Sequence, residues 1–559
     1  MPVITLHQDR FSNLVGRLLT IKEIEEWIPW IGFDIEEKGK DYIKVEFNPN
    51  RVDFSSHPGV ARAFQGLRGW KTGMPTYTVH KGDVKLKIEE SVLKVRPYML
   101  GAVVRKIELD QDTVKELMDI QEDLHWGVGR DRKKASIGIH NLDSVKPPFT
   151  YLGVDPQEVK FVPLGKTERM TPQEILEKHE KGIAYRHLVD WSTKYPLLID
   201  HYGNVLSMPP IINGELTEVD TETRTLFIDV TGPDYQAVEQ CLNVLVTALA
   251  DLGGRIEYVQ VKYPDRIMYS PDLTPKEIQL KPSYANNLLG LELSEDQIIE
   301  CLEKCRLNAR KGKEGTIRVE IPAYRIDILH EIDLVEEVAI GYGYYRLEPT
   351  QPQTMTTGRL HEATRLGNIT RQIMVGLGFT EVMNFILTNE NQQFEMMRRE
   401  PQETIKIANP ASSEYSIART SLLPSLIKNL LDNRHESFPQ RIFEVSDIIR
   451  VEPKDECRSE RDLHLAGVLS HATASFAEMK SVVEALLANI GMPKWETNPT
   501  SNRSFIQGRV AVITFGNNDI GYLGEIHPEV LNNFELENPV CGFEMDLEWL
   551  LSSLKYKKS

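Results

Sequence analysis

The stretch IPAYRIDILHEIDLVEEVAIGYGYYRLEP, residues 321–349, constrains the fold more than any other. Ile321, Tyr324, Ile326 and Ile328 alternate as on a strand, and Ile332, Val335, Val338, Ala339 and Tyr342 then take helical spacing. A segment apolar on both patterns is predicted to be buried, yet it carries Asp327, Asp333, Glu336 and Glu337. On a helix, Asp333, Glu336 and Glu337 stand at i, i+3 and i+4 and share a face, with Asp327 arriving from the end of the preceding strand. Like charges at i and i+4 repel by about 0.2–0.5 kcal/mol on an isolated helix, and no Lys or Arg within that helix relieves them. Two readings stay open on spacing alone. One is a solvated acidic helix face; the other is a bound hard cation, for which carboxylates and water suit octahedral Mg2+ better than zinc.

At 559 residues the chain is predicted to hold about three to five domains. Its formal charge of −17 argues against a protein that coats nucleic acid non-specifically, which takes many cations to displace counterions. A local basic groove is compatible with that balance. Cys241, Cys301, Cys305, Cys457 and Cys541 are sparse, and Cys301 and Cys305 fall inside a helical pattern, so reduced thiols without zinc or disulfides are expected. No apolar run approaches about 18 residues. The start MPVITLHQDRF has neither a signal core nor a transit composition, which predicts a cytoplasmic protein with no membrane partner.

The pattern along the chain is α+β and multidomain. Residues 1–85 read as a small α+β domain: Thr20 and Glu23 make a capping box for a helix through Trp30, FDIEEKG and YIKVEFN read as strands, and Ser56 caps a helix that Gly69 ends. Residues 86–268 read as one large α+β domain with a charged helix near 172–180 and a long helix from Tyr235 stopped by Gly253-Gly254. Residues 269–348 read as a winged-helix-like module with a Ser294/Gln297 capping box, a turn at RKGKEG and the strand TIRVEIP. After the linker EPTQPQTMTTG, residues 349–559 open with Leu366, Ile369, Ile373 and Leu377 on one helical stripe, either plain core or the interface towards a partner, and end in SLKYKKS.

In this order the stretches NPNRVDF, QEDLHWGVGRDRKKASIGIHNLD, VLSMPPIINGE, IPAYRIDILHEIDLVEEVAIGYGY, ARTSLLPSLIKNLLDNR, RIFEVSDII and GYLGEIHPEVLNNFELENPV resemble the β subunits of phenylalanyl-tRNA synthetases of the archaeal and eukaryotic cytosolic type. At 559 residues the inserted barrel and C-terminal anticodon-binding domain of the bacterial form are not expected. The resemblance implies Mg2+ held by Asp327, Asp333, Glu336 and Glu337, and with no phosphate-cradling glycine loop or catalytic base nearby in sequence its expected role is structural. It implies that residues 86–268 are a tRNA-editing domain, with His140, Ser207, Asn213, Glu215 and Thr231 matching the editing pocket. It also implies a class II synthetase-like antiparallel sheet with helices in residues 349–559, ATP and phenylalanine bound on a separate α subunit, two α and two β chains, and tRNA(Phe) as the nucleic-acid partner.

Editing has a physical motive, because an apolar pocket for phenylalanine rejects an added hydroxyl by only about 10²-fold. No Cys/His or Ser/His/Asp constellation is evident in the sequence, so positioned water is the expected nucleophile. A class II active site needs an arginine pair to clamp ATP. The matching stretches read RIFEVSD, with Arg441 offset, and CGFEMDLEWL, with no arginine, so this module is expected to be silent. The basic stretches GRDRKK (129–134) and RKGK (310–313) are either solvated surface or tRNA phosphate contacts. Two rival functions stay open: a free-standing misacyl-tRNA deacylase, and a winged-helix nucleic-acid-binding regulator, which the acidic balance disfavours.

Overall fold

The computed structural model describes residues 2–352, 354–492 and 494–550; the stretch SLKYKKS lies outside them. The chain divides into two compact units, Met1–Gln351 and Pro352–Ser559. Among the described residues no helix is long and apolar enough to cross a membrane.

The first unit begins with a three-stranded antiparallel sheet in the order Val3–His7, Tyr42–Phe47, Phe33–Lys38. The Thr20/Glu23 capping box forms, but its helix runs only Ile21–Trp27 and tightens into a 3-10 turn at Ile28–Ile31. Pro29 explains the early stop, since it lacks the N–H an α-helix needs there. Ser56 Oγ accepts from Gly59 N and caps the helix His57–Leu67, most of which is buried.

A ten-stranded sheet follows, ordered Ile212–Asn213, Val205–Met208, Tyr195–Ile199, Phe149–Val154, Lys85–Ile88, Arg255–Lys262, Tyr98–Arg105, Thr225–Gly232, Ser136–Asn141, with Ile267–Ser270 paired to Arg255–Lys262. Its strands have period 2 and both faces are covered. Leu100, Ala102 and Val104 meet the helices Gln111–Trp126 and Tyr235–Asp251, whereas Met99 and Val103 pack with Leu86, Phe149, Tyr151 and Leu206 on the other side. The sheet curls until its two edges touch: Asn213 Nδ2 donates to the carbonyl of Ile139 at 3.3 Å.

The module after it has a three-stranded sheet, Lys276–Leu280, Ile317–Ile321 and Asn308–Lys311, with helices Pro282–Leu289, Glu295–Lys304 and Glu331–Tyr342. The Ser294/Gln297 capping box forms. The strand that the alternation extends to Ile328 ends at Ile321, because Pro322 follows and starts a turn closed by Arg325 N donating to the Pro322 carbonyl at 2.9 Å. Tyr324 and Ile328 are buried from a loop instead.

The second unit is a seven-stranded sheet ordered Thr380–Glu381, Gln440–Val451, Ser459–Ser470, Val540–Asp546, Asn518–Ile526, Phe505–Phe515, Glu496–Pro499, antiparallel except for its first pair. Helices Glu362–Gly376 and Phe476–Ile490 cover one face, and Leu423–Asp432 with Pro528–Asn533 the other. Of the predicted stripe, Leu366 is buried in the unit's own core and Ile373 and Leu377 pack against it, so these three are core residues.

Candidate functional site

The two touching edges of the ten-stranded sheet enclose a cavity of about 610 Å3. Its wall includes Ser136–Ile139 from one edge strand and Ser207 with Pro209–Gly214 from the other. Glu122, His125 and Arg132 close it on the helix side. Arg132 ends a run of three non-glycine residues in the left-handed region, Arg130, Asp131 and Arg132 at φ 49°, 54° and 63°. Each such residue costs about 1–2 kcal/mol. The offset comes from the Arg132 guanidinium, which donates to the carbonyls of Pro210 and Ile211 at 3.1 and 3.0 Å and to Glu122 at 2.8 Å. It also lies over the Tyr185 ring at 4.4 Å. Within GRDRKK, then, Arg132 is a buried strut joining both walls. RKGK stays at the surface, with Arg310 paired to Glu320 and Lys311 to Asp296.

Ser207 and Asn213 both line the cavity, as register partners across the edge ladder. The Ser207 hydroxyl is buried without a hydrogen-bond partner. An orphaned polar atom of this kind costs about 1–3 kcal/mol and calls for an explanation. His140 is fully buried one layer behind the wall, with Nε2 at 2.8 Å from Asp229 Oδ1 and Nδ1 at 2.7 Å from Thr217 Oγ1. Thr217 and Asp229 themselves line the cavity. Thr231 is buried outside the lining, accepting from Arg96 Nε at 2.9 Å and 3.0 Å from Ser136 Oγ. Glu215 is exposed and outside the lining as well, its backbone N–H bonded to the Val162 carbonyl at 3.0 Å. No motif or spacing singles out Thr217 and Asp229 as cavity-lining residues. The available signal was Asp229 itself, a lone carboxylate within the apolar run TLFIDVTG.

Of the four carboxylates of 321–349, Asp327 and Glu337 meet, and they do so at a basic partner that helix spacing does not reveal. Arg325, buried in the loop, donates to Asp327 at 2.9 and 2.7 Å and to Glu337 at 2.5 and 3.0 Å. Burial opposes the charge on Asp327, yet Arg325 and, further off, Arg51 hold its pKa below the ordinary value. Asp333 Oδ2 accepts from the N–H groups of Leu329 and His330, both at 2.7 Å, and so caps the helix. Glu336 is pushed above its ordinary pKa by burial and then by Glu337, Asp327 and Asp333. That excess negative potential attracts a hard cation, which Asp327 and Glu337 could hold only by sharing lone pairs with Arg325. Among the described residues no three His, Cys, Asp or Glu side chains gather into a group ready to hold a metal, and Arg325 engages all four oxygens of Asp327 and Glu337.

In the second unit the strand parity separates the residues a nucleotide clamp would need. Arg441 pairs with Glu478 at 2.8 Å on the face of helix Phe476–Ile490. Glu444 alternates to the other face and pairs with buried Arg419 at 2.8 Å. Beside it, Glu544 accepts from Ser421 Oγ at 2.6 Å, Leu422 N at 3.1 Å and Tyr522 OH at 3.1 Å, and lies 3.0 Å from His464 Nδ1. Burial opposes its ionisation, but His464 and Ser421 bring its pKa down to about 2.

Comparison with known proteins follows the same division. Residues 278–344 match the tRNA synthetase B5 domain, and residues 347–547 match the phenylalanyl tRNA synthetase beta chain CLM domain. A phenylalanine–tRNA ligase beta subunit of Methanothrix thermoacetophila is 44% identical over 98% of this chain and 100% of its own length. Its counterpart in Methanocaldococcus jannaschii is also 44% identical, over 98% and 100%. A crystal structure of an N-terminal fragment of the phenylalanyl-tRNA synthetase β subunit from Pyrococcus horikoshii superposes with a TM-score of 0.59 at 42% identity, covering 61% of this chain and 99% of the fragment.

Proposed function

This chain belongs to the family of phenylalanine–tRNA ligase β subunits, and from that premise we propose that it serves an α subunit that activates phenylalanine, while itself hydrolysing Tyr-tRNA(Phe) in the cavity of its ten-stranded sheet. The partition of labour rests on chemistry. In the class II-like unit Arg441 is paired with Glu478, Arg419 with Glu444, and Glu544 is engaged by Ser421, Leu422 and His464. Arg419 and Arg441, so engaged, do not form the free arginine pair that would stabilise charge on an α-phosphate. ATP and phenylalanine bind on the α subunit, and tRNA(Phe) spans both chains. An apolar patch around Met383 and Phe385, with Phe385 edge-on to Tyr415 at 5.7 Å, supports α-subunit docking on this unit.

The observation that carries the editing reading is the orphaned Ser207 hydroxyl in the cavity wall. A buried hydroxyl with no protein partner is satisfied by what enters the cavity: the tyrosyl ester, or the water that attacks it. Asn213, across the ladder, is placed to help orient the ester. Ser207→Ala tests this in the assembled enzyme. Loss of an unpaired hydroxyl leaves the melting temperature unchanged or raises it, and hydrolysis of Tyr-tRNA(Phe) slows at least tenfold. Undiminished hydrolysis by this variant removes the cavity as the editing site.

Mg2+ is the proposed structural cation of the carboxylate cluster. Glu336 and the free oxygen of Asp333 would hold it, with Asp327 and Glu337 sharing lone pairs between the ion and Arg325. Its contribution is neutralisation of excess charge, and no step of the hydrolysis passes through it.

A further inference from the structure

We propose that Thr217, His140 and Asp229 form a proton relay in which the Thr217 hydroxyl takes the proton from the attacking water; the inference rests on the editing reading of the same cavity. Asp229 lies opposite Gly138 in the ladder between Thr225–Gly232 and Ser136–Asn141, with His140 two residues along from that glycine. The glycine matters, because a Cβ at 138 would stand 2.4 Å from Asp229 Oδ1 and 2.7 Å from His140 Nε2. The missing side chain leaves room for the acid and the imidazole to meet at 2.8 Å.

The proton positions follow from the acceptors. The Asp229 carboxylate only accepts, so the neutral imidazole carries its hydrogen on Nε2 and presents a lone pair at Nδ1. The Thr217 hydroxyl donates to that lone pair at 2.7 Å, which is shorter than its alternatives at the carbonyls of Gly214 (3.3 Å) and Leu206 (3.4 Å). With its hydrogen directed at His140, Thr217 Oγ has lone pairs free, and Thr217 is part of the cavity wall. A buried histidine satisfied on both nitrogens is commonly only a structural tie. Here both of its partners face the cavity, and a second hydroxyl in the same wall, that of Ser207, has no partner. Acid, imidazole and hydroxyl in series are the parts of a general-base relay.

The step balances. Water oxygen forms a bond to the ester carbonyl carbon, and the carbonyl π pair moves to its oxygen. The water proton passes to Thr217 Oγ as the Thr217 proton passes to His140 Nδ1, and Asp229 stabilises the imidazolium. Collapse breaks the bond between the carbonyl carbon and the terminal ribose oxygen. That oxygen takes the proton back through Thr217, releasing tyrosine and tRNA with the relay restored. Thr217 is the catalytic residue; His140 and Asp229 act through it as positioning residues.

The test is single-turnover hydrolysis of Tyr-tRNA(Phe) by the assembled enzyme. Thr217→Ser keeps the rate within a few fold. Thr217→Ala and Thr217→Val lower the rate at saturating substrate by about 10²–10⁴-fold, the usual worth of general-base catalysis, with half-saturation unchanged. In a His140→Ala background, added imidazoles of similar size restore hydrolysis in the order of their basicity, which a cavity-filling role does not produce. Full activity of Thr217→Ala, or rescue of His140→Ala that ignores basicity, overturns the relay and leaves the editing reading standing if Ser207→Ala is still impaired. An assembled wild-type enzyme that does not hydrolyse Tyr-tRNA(Phe) overturns both.

Discussion

Arg325→Gln isolates the central ion pair of the first unit. The guanidinium makes four charge-assisted hydrogen bonds, two to Asp327 and two to Glu337. Summed at about 1.5–3 kcal/mol each they exceed what one residue contributes, because bonds to one rigid group are not additive. The governing quantity is the cost of leaving carboxylates buried without their partner, about 3–5 kcal/mol. Arg325 and Glu337 are 3% and 5% exposed, so water does not substitute for the lost bonds. Asp327 is less enclosed and also feels Arg51, so most of the loss falls on Glu337. Urea denaturation of the full chain, followed by tryptophan fluorescence, to which Trp27 and Trp30 beside Tyr345 contribute, reads the change. The expected result in EDTA is a loss of about 3–5 kcal/mol, more than half of it recovered by adding Glu337→Gln. The variant also frees four carboxylate oxygens for a cation. Mg2+ at a hundredfold excess over its Kd then returns about 2.7 kcal/mol. A variant within about 1 kcal/mol of wild type refutes the ion-pair reasoning, and indifference to millimolar Mg2+ in both proteins refutes a metal at these carboxylates.

Gly138→Ala inserts a methyl group between Asp229 and His140; deacylation of Tyr-tRNA(Phe) falls at least tenfold, and deacylation at the wild-type rate shows that the clamp is not needed. Glu544 has its pKa lowered from 4.5 to about 2, so its ionisation contributes stability above about pH 4.5 that is lost as pH falls towards 2. At about 1.4 kcal/mol per pH unit this amounts to roughly 3 kcal/mol, and Glu544→Gln removes that component of the acid limb in pH-dependent melts. His464 has its pKa raised: burial alone would lower it, but Glu544 outweighs burial. Its contribution is complete below about pH 6.5 and disappears as pH rises through the higher folded value, so His464→Gln flattens the alkaline side of the same curve. Phe385→Asp puts a charge into the exposed apolar patch and weakens association with the α subunit at least tenfold by sedimentation, leaving this chain's own melting temperature in place.

What could be read from sequence was largely local. The Thr20/Glu23 and Ser294/Gln297 capping boxes form as expected because each closes within one turn of chain. The stop at Gly69 and the long helix from Tyr235 follow likewise from residues beside them. Pairing across the fold was not legible. Arg325 stands between Asp327 and Glu337 only because Pro322 ends the strand and the loop turns inward. A Ser/His/Asp-like series was not evident because Thr217, His140 and Asp229 are contributed by a turn and two strands with no shared motif. Ser207 and Asn213 could be found from one signature, VLSMPPIINGE, since a tight connection brings both ends of it to one wall. Glu215 lies in the same signature and faces outward, because the short 3-10 turn Glu215–Thr217 points Thr217 to the cavity instead.

ATP–pyrophosphate exchange with phenylalanine, measured on this chain alone and on the complex with its α subunit, tests the division of labour most directly. Exchange appears only when the α subunit is present, because Arg419 and Arg441 are committed to Glu444 and Glu478. Exchange by this chain alone would contradict the account.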